Sequence, residues 1–196
     1  MTALKDRIVQ EALRQFSYKG YMHTSTMDII QSVGTSKGGL YNHFKNKERL
    51  FFEALSHARK LWRERNLAGV DEIARPLDKI IKILINYKER YLKDEENLPG
   101  GCVFVNLAVE LNDQQPHLAE AVTEGFTRLK SMFKRLLSQD RDRGGITLSD
   151  EEMDHVVELL FASLLGACVM YASTKSEQNL DMAIASLIDY LNQIRH

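Results

Sequence analysis

Twenty residues near the N-terminus, 25–44 (STMDIIQSVGTSKGGLYNHF), leave the backbone little choice. Ser25 lies three residues before Asp28 and just ahead of Ile29 and Ile30. In this capping-box spacing, hydroxyl and carboxylate satisfy orphan backbone N–H groups at a helix start. The helix that begins near Thr26 is predicted to stop at Gly34, since glycine takes the left-handed conformation that closes a helix. Ser36 then offers a second N-cap for a helix over Lys37 to Phe44. Two short helices meet at a tight turn, with Ile29, Val33, Leu40 and Phe44 spaced to lock them together, which is the layout of a helix-turn-helix.

The rest of the chain repeats the helical period. Leu4, Ile8, Ala12 and Phe16, widened by Val9 and Leu13, form one amphipathic stripe that Gly20 closes. Asn46 caps a fourth helix carrying Leu50, Phe51, Ala54, Leu55, Ala58, Leu61 and Trp62. Pro76 suits the first turn of a helix over Leu77 to Lys93. The NLPGG loop at 97–101 precedes CVFVNLAVEL, and Pro116 opens a long helix to about Ser138, followed by DRDRGG as a charged turn. Ser149 and Glu152 repeat the capping box ahead of VVELLFASLLGACVMYA at 156–172. That stretch is short for a membrane span and contains Glu158, so it is expected to be a buried helix. A last helix aligns Leu180, Ile184, Leu187, Ile188, Leu191 and Ile194. With 11 Gly and 3 Pro in 196 residues, too few turns are available for a sandwich or barrel, and the expected fold is all-α with about nine helices.

Charge is divided unevenly. Residues 1–60 hold ten Lys/Arg against five Asp/Glu, whereas the remainder holds 16 against 22, so a basic head precedes an acidic body. Such a split points to a polyanionic partner for the head. On the second helix of the helix-turn-helix the outward set is Lys37, Gly38, Gly39, Tyr41, Asn42 and His43, rich in donors and without a carboxylate. Two adjacent glycines there cost about 1 kcal/mol each relative to alanine, and close backbone approach to a partner would account for them.

T-S-x-x-D-I at 24–29, G-x-S-K-G-x-L-Y-x-H-F at 34–44 and K-E-x-L-F at 47–51 resemble the DNA-binding head of the TetR family of bacterial repressors. The match covers about the first quarter of the chain. Thr35 stands where the family usually has a small apolar residue, and Gly39 departs from its pattern as well. The resemblance implies a head at 1–60, with the helix-turn-helix at 25–44, and an effector-binding and dimerisation domain at 61–196. It implies that Thr26, Thr35, Lys37, Gly38, Gly39 and Asn42 lie nearest the base edges, with Ser36 in the DNA-facing set. Ser25, Tyr41, His43 and Lys47 would hold phosphates. Lysine can donate to guanine O6 and N7, and asparagine can pair with adenine. The expected partners are therefore double-stranded DNA carrying a palindromic operator, a second copy of the chain joined through the two C-terminal helices, and a small-molecule effector.

Candidate effector contacts are Tyr87, Tyr91, Cys102, Phe104, Phe126, Met132, Phe133, Met170 and Tyr171, aromatic and sulfur side chains on the middle and late helices. Cys102 follows Gly100 and Gly101 at a helix start, where the dipole lowers a thiol's pKa, so a redox- or electrophile-sensing role is the alternative. Cys168, on the apolar helix, is expected to be structural. A helical adaptor without a DNA role is the remaining alternative. No G-x-S-x-G, P-loop, G-x-G-x-x-G or H-E-x-x-H motif occurs, and the six histidines have no zinc spacing, so neither an enzyme nor a metal or cofactor site is expected. Two cysteines without C-x-x-C spacing and a charged N-terminal stretch fit a cytoplasmic protein with no membrane association.

Overall fold

In a computed structural model describing residues 3–196, nine α-helices form among the described residues and the only β pairing is an isolated bridge, Ile146 with Arg195. They are α1 (Leu4–Lys19), α2 (Thr26–Val33), α3 (Lys37–Tyr41), α4 (Lys47–Asn66), α5 (Pro76–Asn86), α6 (Val103–Leu111), α7 (Pro116–Asp142), α8 (Asp150–Thr174) and α9 (Glu177–Gln193). The chain divides into two compact units. One holds the described residues up to Trp62 together with Asp94–Val122, and the other holds Arg63–Lys93 with Thr123–His196.

Local signals set most helix ends of the first unit. Ser25 Oγ accepts the Asp28 N–H at 3.1 Å and the Asp28 carboxylate accepts the Ser25 N–H at 3.0 Å, closing the capping box that starts α2. Gly34 ends it in the left-handed region at φ 69°. Asn46 Oδ1 accepts the Arg49 N–H at 2.8 Å and starts α4, which runs to Asn66, a turn beyond Trp62. One expectation needs correction: α3 stops at Tyr41 rather than Phe44. Beyond it the His43 and Phe44 N–H groups both bond the Leu40 carbonyl at 3.0 Å, a tightening turn. A five-residue helix with two glycines has little propensity to extend further.

Ile29, Val33, Leu40 and Phe44 are all buried, as their spacing requires. They join Ile8, Leu13 and Phe16 of α1 and Leu50 and Phe51 of α4. Phe16, Tyr21 and Phe51 form an aromatic cluster with ring centroids 5.1–6.1 Å apart. The same unit takes in α6 and the loop before it. Gly100 N–H donates to Ser17 Oγ at 3.0 Å, and Asn106 Nδ2 donates to the Ser17 and Gly100 carbonyls, each at 3.1 Å. A Cβ at Gly100 would fall 1.9 Å from the Ser17 carbonyl oxygen, so only glycine lets the two backbones meet.

In the second unit α8 and α9 pack along Val156, Leu160, Leu164, Ala167, Leu180, Ile184, Leu187 and Leu191, all buried. Ser149 and Glu152 complete a second capping box, at 3.2 Å and 2.7 Å. Ser149→Ala is expected to lower stability by about 1 kcal/mol, read as a fall in urea midpoint at unchanged m-value. The opposite side of α8 is not covered. Leu159, Val169 and Met170 are 45–53% exposed, with Ala162 and Gly166 also exposed between them. Positions 159, 162, 166, 169 and 170 follow the helical period, so they share one face. With 25 residues α8 is long and apolar enough to cross a membrane, contrary to the expectation from 156–172 alone, yet its buried half is part of the core of this unit.

Two further expectations are corrected here. Helix α5 does not run unbroken to Lys93; it passes into a π-turn, Tyr87–Tyr91, closed by the Leu92 N–H on the Tyr87 carbonyl at 2.9 Å. The wider turn brings the buried rings of Tyr87 and Tyr91 edge to face at 5.3 Å. Helix α7 runs through Ser138 to Asp142, so the first residues of DRDRGG are helical. Asp140 is 1% exposed. Its carboxylate accepts the Leu77 N–H at 3.1 Å at the start of α5 and both Nε and Nη2 of Arg75, at 3.2 Å and 3.1 Å.

Candidate nucleic-acid interface

The residues expected to meet DNA are not equally placed. Ser25, Ser36, Lys37, Gly38, Tyr41, Asn42 and His43 are exposed, while Thr26, Thr35 and Gly39 are partly covered. Helix α3 and its exit turn therefore offer an ammonium, a phenol, an amide and an imidazole in succession. Ser25 and Ser36 use their oxygens to accept the Asp28 and Gly39 N–H groups, which leaves each O–H as a donor toward solvent. The Tyr41 and Thr26 hydroxyls lie 3.3 Å apart and join α3 to the first turn of α2. The capping bonds to Ser25 hold the Asp28 carboxyl below its usual pKa, so this carboxylate stays ionised and committed to the helix end.

Lys47 is placed differently from the other ten. It is half-buried, with Nζ 4.1 Å over the ring of Tyr21. Burial pushes its ammonium pKa down, while the charges of Glu110 and Asp28 oppose that shift. A phosphate at the start of α4 would add a stronger counter-charge.

The two glycines of α3 have different reasons to be there. A Cβ at Gly38 would meet nothing closer than Ser36 Oγ at 3.7 Å, so its bareness serves no internal packing. A Cβ at Gly39 would lie 2.3 Å from Thr35 Oγ1, so internal sterics contribute to the choice of glycine there.

Sequence periodicity gives no signal for two side chains that hold this surface in shape. Arg7 Nη2 on α1 donates to the Val33 carbonyl at 2.5 Å, at the C-terminus of α2 beside the bend. Glu110 on α6 accepts the Tyr21 and Met22 N–H groups at 2.7 Å and 2.9 Å in the loop between α1 and α2. Both contacts cross long sequence separations.

Of the candidate effector contacts, Cys102 and Phe104 belong to the first unit and are buried. Tyr87, Tyr91, Phe133 and Tyr171 are buried in the second, where Phe126 and Met132 are half-buried and Met170 lies on the exposed stripe of α8. Phe126 packs edge to face on Phe161 at 5.4 Å. Cys102 is the N-cap of α6 and only 3% exposed, and Cys168 is buried as well.

Residues 76–187, more than half of the chain, match the family model for the tetracyclin repressor-like C-terminal domain, and residues 8–54 match that of the tetR family of bacterial regulatory proteins. The chain belongs to the TetR family. A crystal structure of a TetR regulator from Chloroflexus aurantiacus is 29% identical and superposes with a TM-score of 0.88 over 98% of this chain and 96% of that one. The transcriptional repressor DhaR of Mycobacterium sp. is 22% identical over 97% of this chain and 93% of its own length. The transcriptional regulator QacR of Staphylococcus aureus is 44% identical over 61 residues, 31% of this chain and 32% of that regulator. The fold is thus that of a TetR regulator, an N-terminal helix-turn-helix followed by a helical C-terminal domain, and the chain is a DNA-binding transcriptional regulator.

Proposed function

We propose that this TetR regulator is a cytoplasmic, dimeric repressor that binds a palindromic operator through residues 25–44 and is released by a small-molecule effector. The head is assigned to 1–60 and the effector and dimerisation region to 61–196. The observation that carries the reading is the exposed surface of α3 and its exit turn, where Lys37, Tyr41, Asn42 and His43 present donors and no Asp or Glu occurs from Gly34 to Asn46. Such a surface suits phosphates and the acceptor-rich major-groove edge of guanine.

One five-residue helix reads too few base pairs for selectivity, which favours two heads on two half-sites. The uncovered stripe of α8 supports the pairing, because Leu159, Ala162, Gly166, Val169 and Met170, with Met182 on α9, would be apolar surface in water unless a second copy covered it. Effector control is supported by the presence of a large second unit that base reading does not use, carrying the buried aromatic residues Tyr87, Tyr91, Phe133 and Tyr171.

The direct test is selection of bound duplexes from a random pool, followed by sequencing. The expected product is an inverted repeat with half-site centres about one helical turn, ~34–36 Å, or a multiple of it apart. No enrichment at low salt would overturn the reading and leave the helical adaptor. On the selected site, Lys37→Ala and Asn42→Ala are expected to relax preference at particular base pairs by about 1–3 kcal/mol each. Tyr41→Ala is expected to weaken all sequences alike, as loss of a phosphate contact does. Uniform loss from all three would contradict this division of labour.

A further inference from the structure

The loop that connects α1 to α2 is braced from within by Thr24, whose N–H and Oγ1 donate to the Tyr21 and Gly20 carbonyls at 3.3 Å and 2.7 Å, and from α6 by a second set of bonds. The Tyr21 and Met22 N–H groups both donate to the Glu110 carboxylate, at 2.7 Å and 2.9 Å, and His23 Nδ1 lies 3.8 Å from the same side chain. Gly20 makes room for it: a Cβ there would come within 2.3 Å of Glu110 Oε1, and φ of 81° already favours glycine. One turn earlier on α6, Asn106 bonds the Ser17 carbonyl, and Gln10 Nε2 meets Asn97 at 3.3 Å further back along α1. Helix α6 and its preceding loop therefore grip α1 from Gln10 to its C-terminus and extend that grip into the loop.

The gripped loop sits at a sensitive point of the reader. Three residues after Met22 comes Ser25, the cap that starts α2, and the Tyr21 ring carries the ammonium of Lys47. A carboxylate accepting two backbone N–H groups forms charge-assisted bonds with defined direction, so it fixes where the loop and these two groups lie. We propose that Glu110 is a positioning residue for operator binding, acting through Tyr21 and Met22 to set the start of α2 and the platform under Lys47. This rests on the DNA-binding reading above.

The test uses the full chain as wild type, Glu110→Gln and Glu110→Ala, titrated against the selected inverted repeat and against a scrambled duplex of equal length and composition. Folding at the assay temperature is verified by circular dichroism. Glutamine keeps the volume and one acceptor, but its amide N–H faces a second donor, so it is the gentler variant should alanine prevent folding. In the folded variants the Kd for the inverted repeat is expected to rise about tenfold, within the usual range for coupled sites. The scrambled duplex should bind unchanged or slightly more tightly, because a negative charge has gone, and amide exchange at Tyr21 and Met22 should accelerate. Accelerated exchange with an unchanged ratio of the two Kd values would overturn the proposal, since a merely structural contact behaves that way. If wild type itself fails to discriminate between the duplexes, the DNA-binding reading falls and this inference with it, an outcome visible before any substitution is compared.

Discussion

Val169→Glu is expected to make the protein monomeric and to weaken operator binding by about 10²–10⁴-fold, the advantage that two linked half-site contacts have over one. Val169 is 46% exposed in the C-terminal part of the uncovered α8 stripe. In a monomer its replacement costs little, because the new carboxylate stays in water. In a symmetric pair the same position faces its own copy or a close neighbour, so two carboxylates would lose hydration against Leu159, Met170 and each other. The stability of the isolated chain should therefore change little while the mass in solution halves. Light scattering after size exclusion measures the first effect and operator titration the second. A Val169→Glu protein that remains dimeric with wild-type affinity would place the dimer contact elsewhere.

Asp140→Ala is expected to destabilise the second unit by about 3 kcal/mol, the lower end of the range for breaking a buried pair. The carboxylate is 1% exposed and supports three donors, two from Arg75 and the Leu77 N–H. Removing it leaves an N–H at the first turn of α5 without its acceptor and an arginine without its counter-charge. Arg75 is 29% exposed, so water screens part of the loss and the upper end of the range does not apply. Its remaining bond to the Gly145 carbonyl, 2.7 Å, would persist. Urea denaturation gives the value, and the double substitution with Arg75→Ala should cost less than the sum of the two single changes. A loss below about 1 kcal/mol for Asp140→Ala would show that this joint contributes little net free energy.

Signals spanning three or four residues were legible in the sequence. Ser25 with Asp28, Gly34, Ser36, Asn46, Pro76, and Ser149 with Glu152 all act where their spacing predicts, because a cap is satisfied by its own helix. The apolar lock of Ile29, Val33, Leu40 and Phe44 was legible for the same reason, being a matter of period and turn length. Polar side chains whose partners lie 60 to 90 residues away were not. Asp140 reads as part of a charged turn until Arg75 and Leu77 are seen beside it, and Glu110 reads as a surface carboxylate until the loop at Tyr21 is folded against it. The π-turn at Tyr87 was hidden because a single extra residue per turn leaves an apolar pattern almost intact. On the candidate interface the residue types were readable, but not that Lys47 would rest on the ring of Tyr21 rather than extend outward.

The 2.3 Å separation between Thr35 Oγ1 and the place a Cβ would occupy at Gly39 links two positions that both face the proposed reading surface. Side chains at 35 and 39 are therefore coupled through this one hydroxyl. A larger residue at 39 has room only once Thr35 has turned its hydroxyl away or given way to something smaller. A bulkier residue at 39 is therefore reached most readily after position 35 has become smaller, or together with that change. The order of steps, as much as the chemistry of each, decides which base preferences this lineage can reach.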